Sequence, residues 1–405
     1  MKRFIIFSLI CAICGPLAAQ VPIALKAAVD TALKNNLLVK NEQLKSKYQQ
    51  LLINTATTLP KTIIIADAGQ INSAYTDTKF SVTQNFSLPK VYASQKKLLQ
   101  QEWKSSQLSV AVKETLLKKQ VAQVFYLMIY LEEKKSLLQY LDSLYSAFYK
   151  KAAQRLATGE SNVLEKASAE TQLGQINIQQ KQLQQDFTIL QLQFQLLLNT
   201  TTPFIPADKN KMTAPFTMAD TALLKQHTTV QLLQQQQQIA SAATAVEKSR
   251  LSPDLLVGYT NSSIRGTGAD NKTYGGGKRF NAVQVGIGIP IFAKAQKEKI
   301  NSARLNQQVA ENSYTAGVQN LQNEYQSAHA QYIKYKETVQ YFETAGLKNA
   351  QLIINTANLQ LANGSINYLE WVQLINQSIT VKSDYTEAVK NLNESIIQLN
   401  YFTNQ

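Results

Sequence analysis

Residues 156–165 read LATGESNVLE, and residues 361–370 read LANGSINYLE. Six of the ten positions agree (Leu, Ala, Gly, Asn, Leu, Glu) at a constant offset of 205, about half of the 405-residue chain. That spacing points to duplication of a large structural unit. Upstream of Gly159, residues 90–157 carry a helical pattern without proline or glycine. At 1.5 Å per residue it would be roughly 100 Å long. Within it Leu117, Val121, Val124, Met128, Leu131, Leu138, Leu141, Tyr145 and Phe148 follow the alternating three-and-four spacing of a coiled-coil seam, interrupted by Lys135. Gly159 breaks the pattern, and a return helix is expected over residues 162–199.

Further upstream, residues 21–58 read as a helix ended by Pro60, followed by two strand-like runs, 63–75 and 79–88, and then Pro89. The second run alternates cleanly. Phe80, Val82, Phe86 and Leu88 share one face, with Gln84 the exception, and Ser81, Thr83, Asn85 and Ser87 share the other. After a proline-bearing linker (200–220, with Pro203, Pro206 and Pro215) the same order returns. Residues 221–249 read as a helix, 255–261 and 282–289 as strands around a glycine-rich loop, 293–362 as a long helix, and the chain returns after Gly364 to about Tyr401. The domain plan is therefore repeat 1 over 21–199, a linker over 200–220, and repeat 2 over 221–405.

Residues 1–20 have the order of a secretory signal peptide: Lys2 and Arg3, the apolar run FIIFSLICAIC, and a small-residue segment with cleavage expected near Ala19 or Gln20. Cys11 and Cys14 fall inside it, so the mature chain has neither disulfides nor thiolate metal sites. Ile10 and Ile13 precede those cysteines where lipidation would need a small residue, so export without lipidation is expected. Losing Lys2 and Arg3 lowers the net charge from +14 to +12. In an exported protein that excess does not point to nucleic acid, and the doublets Lys96-Lys97, Lys118-Lys119, Lys134-Lys135 and Lys150-Lys151 read as solvated helix surface.

No later segment offers about 18 consecutive apolar residues, which leaves a β-barrel as the route into a membrane. Four strands are too few to close one, because the smallest membrane barrels have about eight. Several chains must then share a barrel. Tyr75, Phe80 and Phe280 lie towards the hairpin turns and Phe86, Tyr92 and Phe292 towards the helices, as an interfacial girdle requires. The alternative is a soluble periplasmic coiled-coil scaffold carrying a small sheet, which leaves the long helices with nothing comparable to pack on.

The junctions FSLPKVYASQKK (86–97) and GIGIPIFAKAQKEKI (286–300), the tip motifs RLATGESNVLE and QLANGSINYLE, and the opening VPIALKAAVDTALKNN resemble the TolC family of bacterial outer-membrane efflux proteins across the mature chain. The resemblance implies a mainly α fold with a membrane β-barrel: a homotrimer sharing a twelve-stranded barrel and a periplasmic α-helical tunnel. It implies an exit duct of a tripartite efflux system, with a periplasmic adaptor and an inner-membrane resistance-nodulation-division pump as partners. Residues 283–403 most resemble the partners of metal-exporting pumps, so heavy-metal cations are one implied cargo. By the same resemblance Glu165 and Glu370 line the periplasmic entrance, and Arg155, Gly159 and Gly364 mark the adaptor-docking tips. Two departures stand out: Gln373 takes the place of a further entrance carboxylate, and Gln360 takes the place of a second tip arginine.

Catalysis has little support in the residues. The run GGGKR (275–279) departs from a phosphate loop at Lys272 and Arg279, and the two histidines, His227 and His329, are far apart. With Met128, Met212 and Met218 they show no ligand-like spacing, so neither a metal site nor a cofactor is expected. Energy for transport must come from a partner.

Overall fold

The computed structural model describes residues 21–207, 213–215 and 221–403. The expected signal peptide, and Met212 and Met218 in the linker, lie outside the described residues. The elements run β1 (Val21–Ile23), α1 (Leu25–Asn35), α2 (Leu37–Leu52), β2 (Ile63–Gly69), β3 (Asp77–Ser87), α3 (Pro89–Ala157) and α4 (Val163–Leu198). After them come β4 (Phe204–Pro206), α5 (Thr228–Ser249), β5 (Asp254–Ser263), β6 (Gly266–Thr267), β7 (Thr273–Tyr274), β8 (Arg279–Gly288), α6 (Lys294–Tyr341), α7 (Leu347–Ala362) and α8 (Tyr368–Phe402). The chain forms two compact units, one from residues 1–40, 112–227 and 320–405 and the other from residues 41–111 and 228–319.

The first unit is helical. Its core joins Leu117, Val121, Met128, Leu131, Leu138, Leu141 and Tyr145 of α3 to Leu183, Leu190 and Phe194 of α4 and Leu392 and Ile396 of α8. The seam residues are buried with Val124 partly so, but Phe125, Tyr126 and Ile129 are buried as well. The seam is wider than one a/d stripe because α3 has more than one helical neighbour. Phe125 meets Phe194 of α4 with ring centroids 6.5 Å apart, and Tyr130 donates to Glu387 of α8 at 2.8 Å.

The chain enters this unit differently from the single helix expected over 21–58. Pro22 has no amide hydrogen for a helix ladder, and Val21–Ile23 pairs in parallel with Phe204–Pro206, which places a strand inside the expected linker. The helix also breaks at Asn36, whose side-chain oxygen accepts from the Leu38 and Val39 amides at 2.9 and 3.3 Å and so starts α2. Between α6 and α7 the ladder widens into one π-helical turn, Phe342–Gly346, with both terminal residues buried. A Cβ on Gly346 would lie 2.9 Å from Cδ1 of Phe342.

The second unit holds a four-stranded antiparallel sheet in the order β2-β3-β5-β8 and the short pair β6-β7. Its first strand is shorter than expected: Gly69, at φ +155°, ends it, and residues 70–76 form the connection to β3. Two of the other strands start earlier than the alternation suggested, at Asp77 and Arg279. The Asp77 side chain is fully buried and accepts from Ser73 (2.9 Å), Ser263 (3.1 Å) and the Arg265 amide (2.9 Å), which binds the two hairpins together at their loop ends. On the helical side, Gln235 of α5 donates to Gln101 of α3 at 2.8 Å, so part of the polar run 234–238 serves packing.

Candidate functional site

The sheet is built inside out. Opposed residues of an antiparallel pair share a face, so the register assigns each side chain. One face carries Ile64, Phe80, Val82, Phe86, Leu255, Val257, Tyr259, Val283, Val285 and Ile287. Most of these side chains are exposed, with Val82 and Phe86 half-buried: Val283, Val285 and Ile287 keep 74, 72 and 68% of their surface open. The opposite face carries Ser81, Thr83, Asn85, Gly258, Thr260, Gln284 and Gly286, with Ile63 and Ile65 of the edge strand β2 and Leu256 as its apolar members, and Ser81, Gly258 and Thr260 are buried. At Gly258 there is no room for more: a Cβ there would sit 3.0 Å from Thr83 Cγ2 and 3.2 Å from Gln284 Oε1. A water-soluble sheet would turn its apolar face inward; this one turns it out, as a strand between lipid and a polar interior does.

Apart from residues at the loop end, Asn261 and Asn281 among them, the apolar face carries one polar side chain, Gln84, and it is internally satisfied. Gln84 donates to the carbonyls of Pro60 and Asn85, both at 2.9 Å, and accepts from Thr62 Oγ1 at 2.5 Å. Among the expected girdle residues, Tyr75, Phe80 and Phe292 are exposed, while Tyr92 is half-buried and its hydroxyl accepts from the Ser87 amide at 3.1 Å. Within the chain, β2 and β8 each keep one unpaired edge.

At the other candidate site, in the helical unit, the doubled decapeptides form two equivalent turns. Gly159 and Gly364 adopt φ of +77° and +72°, a conformation glycine enters without the Cβ penalty. The amide after each glycine closes the same loop, Glu160 N–H to Arg155 C=O and Ser365 N–H to Gln360 C=O, both at 2.8 Å. This is the Schellman end of a helix. The next helix starts at once: Asn162 and Asn367 are N-caps, accepting from the Glu165 and Glu370 amides at 3.1 and 3.0 Å.

Glu165 and Glu370 are therefore in the first turn of α4 and α8, because those helices begin at Val163 and Tyr368. In the second turn the Glu370 carboxylate reaches back to the Asn367 amide at 2.8 Å and completes a capping box. In the first it is drawn away: Arg155 reaches Glu165 at 3.2 Å and Ser161 donates to its other oxygen, leaving the Glu165 side chain 11% exposed. Arg155 and Glu165 are thus each other's partner, and the Gln360 departure leaves Glu370 to the cap. Asn162 and Asn367 escaped the sequence reading, although the spacing N-x-x-E inside both decapeptides is the capping-box signature.

Behind the turns lies an aromatic clamp, also missed. Phe148 of α3 stacks on Tyr368 of α8 (centroids 3.6 Å, planes 9° apart) and on Trp371 (5.2 Å). Trp371 donates to Asn358 of α7 at 2.8 Å, and Tyr145 donates to Asn376 at 2.7 Å. Burial pushes the Tyr145 hydroxyl up to about 12, so it stays a donor. Burial raises Tyr368 too, helped by Tyr145 and Glu165.

No family model matches the chain, and no curated protein matches it. Solved structures match it over most of its length. CusC, described for its transmembrane channel formation, is 16% identical over 95% of this chain and 92% of that one, with a TM-score of 0.78. The outer-membrane channel OprN is 13% identical over 94% and 89%, with a TM-score of 0.80. The open outer-membrane channel MtrE of Neisseria gonorrhoeae is 17% identical over 94% and 88%, with a TM-score of 0.75. At these identities the likeness is one of fold, and the fold of this chain is that of the TolC-type outer-membrane channels.

Proposed function

We propose that the protein is an outer-membrane exit duct: three copies share a twelve-stranded barrel, and their helices form a periplasmic conduit that receives cargo from an adaptor and an inner-membrane pump. The observation that carries this reading is the inside-out sheet. Its exposed apolar face needs lipid, and its two open edges need further strands, since an unpaired edge is not tolerated in hydrocarbon. The resemblance at the tips extends the reading to Arg155, Gly159 and Gly364 as the adaptor's landing surface and to Glu165 and Glu370 as the carboxylates of the entrance. Heavy-metal cations are the cargo favoured by the resemblance of residues 283–403, with selection resting in the pump. The domain plan of two repeats joined by a linker belongs to the same proposal.

Membrane fractionation and crosslinking test it. The protein should be extracted only with detergent and run as a crosslinked trimer. Recovery as a water-soluble monomer would sink the duct reading and restore the scaffold alternative. Loss of cation preference in Glu165→Gln/Glu370→Gln channels, read as a shift in reversal potential, tests the entrance assignment. Glutamine is the right substitute because it retains capping ability at the third helical position.

A further inference from the structure

The apolar face of the sheet ends, on the helix side, in a belt of cations that the fold itself does not call for. Beyond β8 the chain exposes Ile291 and Phe292, at 81 and 96%, and then sets Lys294 and Lys297 in the first turn of α6. Beyond β3 it exposes Leu88 and sets Lys90 in the first turn of α3. Arg250 stands four residues before β5. The register brings these strand ends to one level, with Ser87 opposite Asp254 and Asp254 opposite Gly288.

The nearby acids are Glu247, Asp254 and Glu298, and among the described residues none of them is ion-paired to Lys90, Lys294 or Lys297. Glu247 is taken by Arg250 at 2.8 Å and by the Gln296 amide at 2.9 Å, which ties the end of α5 to the start of α6. Among the described residues Lys90, Lys294 and Lys297 form no ion pair, and all three are exposed. Nor do they help their helices: neither first turn contains an acid, and lysines there oppose the helix dipole. An exposed apolar band bordered by exposed, unpaired cations is complementary to one class of molecule, an anionic amphiphile with two acyl chains and a phosphate.

We propose that this belt binds the headgroups of anionic glycerophospholipids in the leaflet on the helix side, with their acyl chains against the exposed strand face. The proposal rests on the membrane-spanning reading and adds to it a headgroup preference and the residues that set it. Lys90, Lys294 and Lys297 contact the phosphodiester, and Phe292 sits at the boundary between headgroup and chain.

Partition of the purified full-length protein between phosphatidylcholine vesicles and vesicles containing phosphatidylglycerol, measured by flotation at low salt, tests this. The native protein should prefer the anionic vesicles. Each Lys→Gln change at 90, 294 or 297 should reduce that preference about fivefold, the worth of one cation near a charged surface. Lys→Arg at the same positions should keep it, and so should Lys150→Gln with Lys151→Gln, which remove two charges, one more than each single variant, far from the belt in sequence. Equal preference in the native protein and the triple Gln variant would overturn the headgroup assignment. Failure to enter either kind of vesicle would instead overturn the membrane-spanning reading.

Discussion

Two of the six positions that the repeated decapeptide shares, its glycine and its asparagine, shape both turns. Gly159 and Gly364 have open space where a Cβ would go, so the cost of substituting them is conformational and not steric. Gly364→Ala should destabilise the protein by about 1–2 kcal/mol, and Gly364→Asn by less, because asparagine enters the left-handed region more readily. Thermal melting of the two variants checks both the direction and the order. Asn367→Ala should cost about 1 kcal/mol through the lost cap. The glutamates show where sequence reading reached its limit. Their place beside the turn was legible from the spacing, but the divergence of their partners was not, because Arg155 sits ten residues from Glu165 on the other helix of the turn.

The helices were legible as elements because a three-and-four apolar period over dozens of residues has few other readings. What escaped was everything set by contact between elements: the β1–β4 pair, the break at Asn36, and the clamp of Phe148, Tyr368 and Trp371. Truncating Trp371 to alanine should cost about 3–5 kcal/mol, since it removes a buried ring together with the partner of Asn358. The contact between α3 and α8 carries a pH signature. Burial alone would raise the Glu387 carboxyl, but hydrogen bonds from Lys390 and Tyr130, with the charges of Lys390 and Lys134, hold it below its ordinary 4.5. A lowered folded value means that the contribution is present in full above the unfolded value and is lost as pH falls through the folded one. Glu387→Gln should therefore lower stability at neutral pH, by no more than about 1 kcal/mol for a partly exposed group. The difference from the native protein should close on acidification, as paired denaturation curves would reveal.

At the scale of the whole chain the sheet was read more surely than its setting. Alternation gave the two faces of β3, whereas the packing on the polar face around Gly258 needed the register of the neighbouring strands. The chain's internal duplication also carries a length difference. Pro89 and Pro290 lie 201 residues apart, but Gly159 and Gly364 lie 205 apart, so the outgoing arm of the second hairpin has four more residues than that of the first. The π-helical turn Phe342–Gly346 falls in this longer arm, whereas α3 runs unbroken from Pro89 to Ala157. A π turn absorbs an extra residue without unwinding the helix around it. Each α-helical residue turns the chain by about 100°, so four residues overshoot a full turn by only about 40°. Deleting one residue from 342–346 should then return the turn to α-helix and leave Ile354 and Ala357 facing Trp371, whereas deleting one residue from the α-helical stretch 320–341 should rotate them away and lower the melting temperature. The second hairpin thus keeps the phase of the first despite its added length, and its tolerance of shortening should follow helical angle instead of the number of residues removed.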